Sequence, residues 1–157
     1  MSVSVGSVAP DFTLKNQNTE DVTLSSFRGK KVVVLFFPFA NTSVCTKEMC
    51  TFRDALSDYK NLDAQVLGIS VDSPFSLKLW DDKNNYGFPL LSDFNKEVST
   101  LYGVLYESFV PAKFDYKGVA KRSAFVLDEN GVVKYAEVLE VAGDEPNYDN
   151  IQAALKS

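Results

Sequence analysis

Histidine is absent from this chain of 157 residues. That absence excludes Ser-His and Cys-His nucleophile pairs, histidine-ligated metal sites and histidine general bases. Cysteine is scarce, because only Cys45 and Cys50 are present. Two cysteines cannot form a Cys₄ or Cys₃His zinc site, and their spacing fits no usual metal-ligand pattern. We therefore expect no metal site, and thiol chemistry or packing remains as the role of the cysteines.

Long apolar runs and basic clusters are also missing. The longest apolar run covers residues 32–37, far short of the roughly 20 residues that cross a bilayer. The first residues lack the basic and apolar segments of a secretory signal. The net charge is -5 and no Lys/Arg cluster occurs, which disfavours phosphate binding. We expect a cytoplasmic protein that binds neither membrane nor nucleic acid.

What is present is typical of a folded protein, with 45% hydrophobic, 13% aromatic and 24% charged residues. No repeat or linker divides the sequence, so we predict a single domain over residues 1–157. Periodicity predicts strands at residues 11–14, 22–24, 32–37, 65–71, 123–127 and 132–138, and helices at residues 42–59, 73–87, 95–103 and 148–155. The order predicts a parallel βαβ unit followed by an antiparallel hairpin and a helix. This is an α/β domain with a mixed central sheet flanked by helices, the layout of thioredoxin-like folds.

Cys45 continues the apolar stripe of the first long helix and lies in its first turn. Unpaired backbone amides and the helix dipole favour an anion such as a thiolate at this position. A helix end supplies at most about 2 kcal/mol, less than is needed to ionise an ordinary thiol at neutral pH. A Lys or Arg must help, and spacing leaves Arg28 and Arg122 as candidates, since Arg53 lies about 12 Å along the helix. The alternative is that Cys45 is a small buried hydrophobe.

Cys50 follows five residues later in the same helix. Helix geometry places it about 140° around the axis, with a Cα separation of about 8.6 Å from Cys45. This exceeds the limit of about 7 Å for a disulfide. The two cysteines can therefore bond only if the helix unwinds locally. Cys50 falls off the apolar stripe, and a partly exposed thiol near a reactive one is the expected placement of a resolving cysteine. The alternative is a thiol without a role.

The segment from Pro38 to Cys45, PFANTSVC, resembles the active-site pattern of peroxiredoxins. The opening GSVAPDF at residues 6–12, the GFPLLSD segment at residues 87–93, which resembles a loop on the peroxide side, and Arg122 before SAFVL extend the resemblance over nearly the whole chain. The resemblance implies a thioredoxin-like fold with the peroxiredoxin elaboration. It also implies that Cys45 attacks the peroxide and becomes a sulfenic acid, that Arg122 supplies the cation, that Thr42 hydrogen-bonds the peroxide, and that Pro38 shields the thiolate. The alternatives are an N-cap for Thr42, a strand terminator for Pro38 and a surface ion pair for Arg122.

Different parts of the chain resemble two different subfamilies of peroxiredoxins. The pair Cys45 and Cys50 resembles the Q type (the bacterioferritin-comigratory group), in which the second cysteine of the helix resolves the first. Leu79-Trp80 and residues 102–104 resemble the alkyl hydroperoxide reductase E type, which often has one essential cysteine. Cys50 is thus either resolving or not essential. Glu48 is expected either to hydrogen-bond the arginine or to lie on a solvated helix face.

The resemblance implies a peroxidase that reduces hydrogen peroxide and organic hydroperoxides and is recycled by thioredoxin or a similar dithiol. It implies no metal, haem or flavin, and a monomer or homodimer. A thioredoxin-like disulfide reductase is disfavoured, because that chemistry normally uses Cys-x-x-Cys. A chaperone or partner-binding module is disfavoured by the set of Thr42, Cys45 and Arg122.

Overall fold

A computed structural model describes residues 3–157, whose strands form one seven-stranded sheet in the order β2-β1-β5-β4-β3-β6-β7. The strands are β1 (Thr13–Asn16), β2 (Asp21–Thr23), β3 (Lys31–Phe36), β4 (Ala64–Ser70), β5 (Leu90–Ser92), β6 (Ser123–Leu127) and β7 (Val133–Val138). The helices are α1 (Ser43–Asp54), α2 (Leu56–Asn61), α3 (Pro74–Asn84), α4 (Glu97–Leu101) and α5 (Tyr148–Lys156), with a 3₁₀ turn at Leu24–Phe27.

The centre of the sheet confirms the predicted topology. β3 pairs in parallel with β4, and α1 and α2 lie between them in the chain. β3 also pairs antiparallel with β6, which forms an antiparallel pair with β7. The predicted hairpin turn contains Gly131 at a φ of 80°, a backbone conformation that glycine adopts without steric cost. The fold is therefore the mixed-sheet, thioredoxin-like arrangement that the sequence predicts.

Both faces of the sheet are covered. Side chains alternate along β3, so Val33 and Leu35 face one hydrophobic core while Val32 and Val34 face the other. The first core also contains buried side chains of α1, α2, α3 and α5, and the second contains Val98 of α4 and residues of the N-terminal segment. None of the helices within residues 3–157 combines the length and the apolar character that a membrane crossing requires.

The structure corrects several predicted boundaries. The helix predicted to run to residue 59 is broken at Ala55, whose φ of -98° and ψ of 10° separate α1 from α2. The apolar stripe does not reveal the break, because Phe52 and Tyr59 on either side pack into the same core. β1 begins two residues later than predicted, and α3 ends at Asn84, where Asn85 adopts a left-handed conformation. The segment interpreted as a loop at residues 87–93 contains β5, which pairs in parallel with β4.

Candidate active site

The loop between β3 and α1 positions the first turn of α1. Asn41 has a φ of 67°, a conformation that asparagine tolerates better than most residues. Thr42 is the N-cap residue by position, but its hydroxyl donates to the carbonyl oxygen of Phe39 at 2.8 Å and caps no amide. Cys45, the third residue of α1, is 1% exposed. The loop therefore presents a buried thiol at a helix N-terminus, as predicted.

Arg122 lies immediately before β6 and contacts this thiol. Its Nη1 donates to the Cys45 Sγ at 3.2 Å and to Glu48 Oε1 at 2.7 Å. Its Nη2 donates to the carbonyl oxygen of Ala142 at 3.0 Å. The side chain of Arg122 is 2% exposed and that of Glu48 is fully buried. The alternatives of a surface ion pair for Arg122 and a solvated face for Glu48 are therefore wrong.

The structure shows which arginine contacts Cys45, a question that the sequence left open. The guanidinium of Arg28 lies against Gly131, at the turn between β6 and β7. Arg53 donates to the carbonyl oxygen of Asn84 at 2.8 Å. Only Arg122, of the three arginines in the chain, hydrogen-bonds Cys45 within residues 3–157.

One cation serves two acidic groups in this site. Burial raises the pKa of the Cys45 thiol, and the Arg122 guanidinium and the Thr42 hydroxyl oppose that rise. Burial also raises the pKa of Glu48 to about 7, again opposed by Arg122. Because Arg122 Nη1 contacts both groups, the ionisation of Glu48 reduces the stabilisation that Arg122 offers to a Cys45 thiolate.

Asp72 connects the loop before α1 to the neighbouring strands through hydrogen bonds. Its Oδ2 accepts hydrogen bonds from the backbone amide of Ala40 at 2.8 Å and from the hydroxyl of Ser70 at 2.7 Å. Ser92 of β5 donates to the carbonyl oxygen of Asp72 at 2.6 Å. The sequence interpretation missed Asp72, although a polar side chain directly after a buried strand was a usable signal. Asp72 links the ends of β4 and β5 to the loop that precedes the thiol.

A cavity of about 440 Å³ opens over Cys45 and contains four of the five predicted site residues. It is lined by Pro38, Thr42, Ser43, Val44, Cys45, Phe109, Val110, Lys113, Phe114, Arg122, Ala142 and Gly143. Apart from Thr42, Lys113 and Arg122, most of these side chains are apolar. A second cavity, about 500 Å³ and lined in part by Thr13, Phe75 and Glu97, contains none of the predicted residues.

The apolar wall of the first cavity was not predicted. Phe109 packs edge-on against Phe39, with ring centroids 5.4 Å apart, and stacks on Phe114 at 5.9 Å. Val110 has a φ of 45°, which is unusual for a β-branched residue. The segment at residues 87–93, interpreted as lying on the peroxide side, does not line this cavity.

Cys50 is the predicted site residue that the structure does not bring to the cavity. Cys45 and Cys50 both have free thiols and both lie within the continuous helix α1. Cys50 is partly buried and packs against the first core. The helix places it on a different side from Cys45, in agreement with the sequence geometry.

Comparison with known proteins identifies close relatives. The model of the AhpC/TSA family matches residues 5–136. Alkyl hydroperoxide reductase E of Mycobacterium tuberculosis is 42% identical over 139 residues, which are 87% of this chain and 86% of that protein. The chloroplastic peroxiredoxin Q of Triticum aestivum is 43% identical over 133 residues, 85% of this chain and 58% of that protein. The crystal structure of peroxidoxin BcpB from Mycobacterium tuberculosis superposes with a TM-score of 0.86 at 28% identity, covering 98% of this chain and 97% of that one.

Proposed function

The chain belongs to the AhpC/TSA family and is a peroxiredoxin, a thiol peroxidase, and from this premise we propose that Cys45 is the residue that peroxide oxidises. The observation that carries the proposal is the distance of 3.2 Å between Arg122 Nη1 and the Cys45 Sγ at the base of the cavity. Arg122 stabilises the thiolate, which is the nucleophilic form of cysteine.

The proposed reaction begins with attack of the Cys45 thiolate on one peroxide oxygen. An S–O bond forms to the hydroxyl oxygen and the O–O bond breaks, so that Cys45 becomes a sulfenic acid. The other peroxide oxygen leaves as hydroxide or alkoxide and takes up a proton from solvent to give water or an alcohol. Arg122 stabilises the negative charge that develops on the leaving oxygen. The Thr42 hydroxyl hydrogen-bonds the peroxide, and Pro38, which is buried in the cavity wall, keeps water from the thiolate.

The lining of the cavity is compatible with both small and organic peroxides. Hydrogen peroxide needs only the space beside Cys45 and Arg122, whereas the apolar wall of Phe109, Val110 and Phe114 offers contact to the hydrocarbon part of an organic hydroperoxide. We therefore propose that the enzyme reduces both kinds of peroxide.

Cys50 is proposed to resolve the sulfenic acid. The two sulfur atoms are on different sides of α1, so the turn between the cysteines must unwind before an intramolecular disulfide can form. Thioredoxin or a similar dithiol then reduces the disulfide and returns both thiols. The presence of the second cysteine in the same helix supports this route over a mechanism with one cysteine.

Peroxide consumption by the parent, Cys45→Ser and Cys50→Ser tests these roles. We expect Cys45→Ser to be inactive with every reductant, and full activity in that variant would overturn the assignment of Cys45. We expect Cys50→Ser to retain activity with dithiothreitol, which can reduce a sulfenic acid directly, and to lose activity with thioredoxin. Unchanged thioredoxin-dependent turnover in Cys50→Ser would favour the alternative in which Cys50 is not essential.

A further inference from the structure

The turn of α1 between the two cysteines covers two large buried side chains. Thr46 and Cys50 are four residues apart and therefore share one face of the helix. Beneath this face lie Trp80 at 1% exposure and Tyr86 at 0%, with their ring centroids 4.9 Å apart. The segment that must unwind for a disulfide is therefore also the cover over Trp80 and Tyr86.

The polar atoms of Trp80 and Tyr86 differ in their hydrogen bonding. The indole Nε1 of Trp80 donates to the Thr46 hydroxyl at 3.1 Å. The hydroxyl of Tyr86 is fully buried and makes no hydrogen bond of standard geometry within residues 3–157, although Thr46 and Cys50 are its nearest polar neighbours. Burial, and after it the neighbouring Cys50 sulfur, raises the pKa of the Tyr86 phenol, and the Thr46 hydroxyl opposes that rise. The covered pair thus contains one satisfied donor and one unsatisfied hydroxyl.

A buried hydroxyl without a partner destabilises the conformation that buries it, and phenylalanine in the same space avoids that cost. Unwinding of the Cys45–Cys50 turn lifts Thr46 and Cys50 away and opens the Tyr86 hydroxyl to water. The same unwinding breaks the bond between Trp80 and Thr46. The two contacts therefore act in opposite directions on the same local transition.

We propose that Thr46 and Tyr86 set the rate at which Cys50 reaches oxidised Cys45: the bond from Trp80 to Thr46 holds the turn in helical form, and the unsatisfied hydroxyl of Tyr86 favours its release. Both are positioning residues that act through α1. The proposal rests on the resolving role of Cys50 for its effect on catalysis, whereas its effect on unwinding is independent of that role.

Thr46 and Tyr86 control the formation of the disulfide, which needs no reactant besides the Cys50 thiol and the Cys45 sulfenic acid. The Cys50 sulfur gives up its proton and attacks the sulfenic sulfur of Cys45. The S–S bond forms as the S–O bond breaks, and the departing hydroxide takes up the proton to leave as water. Cys50 is oxidised from thiol to disulfide, and the Cys45 sulfenic acid is reduced to the same level.

Amide hydrogen exchange of residues 45–50 in the reduced protein measures the unwinding directly. We expect Tyr86→Phe to slow exchange about tenfold and Thr46→Val to accelerate it about tenfold, since each change alters one buried polar contact. Tyr59→Phe makes the same substitution in the same core but on α2, and Thr100→Val removes a helical hydroxyl on α4 that bonds the carbonyl of Lys96, away from the measured turn. Both controls should exchange like the parent.

After one equivalent of hydrogen peroxide, the disulfide should form more slowly than in the parent in Tyr86→Phe and faster in Thr46→Val. The rate of the first oxidation of Cys45 should be unchanged in both variants. Exchange that is equal to the parent in both variants, or changed in the same direction in both, would overturn the proposal. If exchange responds as expected but no variant forms a disulfide, the inference about unwinding stands and the resolving role of Cys50 fails. If disulfides form at one common rate in all variants, the proposed control of resolution fails while the resolving role of Cys50 stands.

Discussion

The guanidinium of Arg122 donates to the sulfur of Cys45 at 3.2 Å, although 77 residues separate the two in the chain. The contact exists because β6 pairs antiparallel with β3, the strand that precedes α1. The end of β3 carries the loop to Cys45, and the start of β6 carries Arg122. The sheet register therefore brings the cation to the thiol.

Replacement of Arg122 tests the electrostatic role of this contact. Arg122→Gln removes the charge that stabilises the thiolate and the leaving oxygen, and we expect the second-order rate of reaction with hydrogen peroxide to fall about a hundredfold or more. Stopped-flow measurement of Cys45 oxidation gives this rate. Arg28→Gln is the matched control, because Arg28 lies at the distant Gly131 turn. Equal rates in the two variants would contradict the role of Arg122.

Glu48 competes with Cys45 for the same guanidinium, so its charge should influence the thiolate. In a Cys50→Ser background, we expect Glu48→Gln to lower the pKa of Cys45, so that the midpoint of the ultraviolet absorbance of the thiolate moves to lower pH. The reason is that a neutral amide leaves the Arg122 charge to the sulfur. An unchanged or higher midpoint would show that Arg122 is not shared in this way.

The stability of the reduced protein should depend on pH because Glu48 ionises. Burial raises the pKa of this carboxyl from its ordinary value of 4.5 to about 7. Its contribution to stability is therefore fully present below about pH 4.5 and is lost as the pH rises through about 7. We expect the free energy of unfolding to fall by up to about 3 kcal/mol between pH 5 and 8.

Urea denaturation at several pH values under reducing conditions measures this dependence. The chain has no histidine, so no histidine titration overlaps the window. Glu48→Gln should flatten the pH dependence, whereas Asp82→Asn, at an exposed ion pair with Lys78, should leave it unchanged. A parent protein whose stability rises between pH 5 and 8 would contradict the assignment.

Asp72 should support activity without touching the substrate cavity. Asp72→Ala leaves the Ala40 amide and the Ser70 hydroxyl without their acceptor, and we expect a loss of about 1 to 3 kcal/mol in the free energy of unfolding. The rate of Cys45 oxidation should also fall, because the loop from Pro38 to Thr42 is less well ordered. Asp72→Asn retains one acceptor oxygen and should restore most of both properties. Failure of the asparagine variant to do so would mean that the charge, and not the hydrogen bonds, is what matters.

The sequence predicts those parts of the structure that depend on local patterns. The runs of β3 and β6 and the start of α3 each carry their own signal, and all three are confirmed within a residue. The break at Ala55 has no such signal, because the apolar spacing continues across it. Periodicity reports which side of a helix is buried and does not report where the helix is interrupted.

The candidate site divides in the same way. Pro38, Thr42 and Cys45 lie in one short segment and are identified because that segment resembles the family pattern, whereas spacing alone could not choose Arg122 over Arg28. The wall formed by Phe109 and Phe114 could not be predicted, because it depends on how residues 105–120 fold back over the cavity. The burial of Glu48 follows from the same long-range pairing that buries Arg122.

Oxidation of Cys45 and its resolution by Cys50 are tested together by the intact mass of the protein after one equivalent of hydrogen peroxide and no reductant. We expect the parent to lose two hydrogen atoms and all alkylatable thiol, Cys50→Ser to gain oxygen at residue 45, and Cys45→Ser to be unchanged. A parent protein that gains oxygen at Cys45 while Cys50 remains an alkylatable thiol would show that Cys50 does not resolve Cys45.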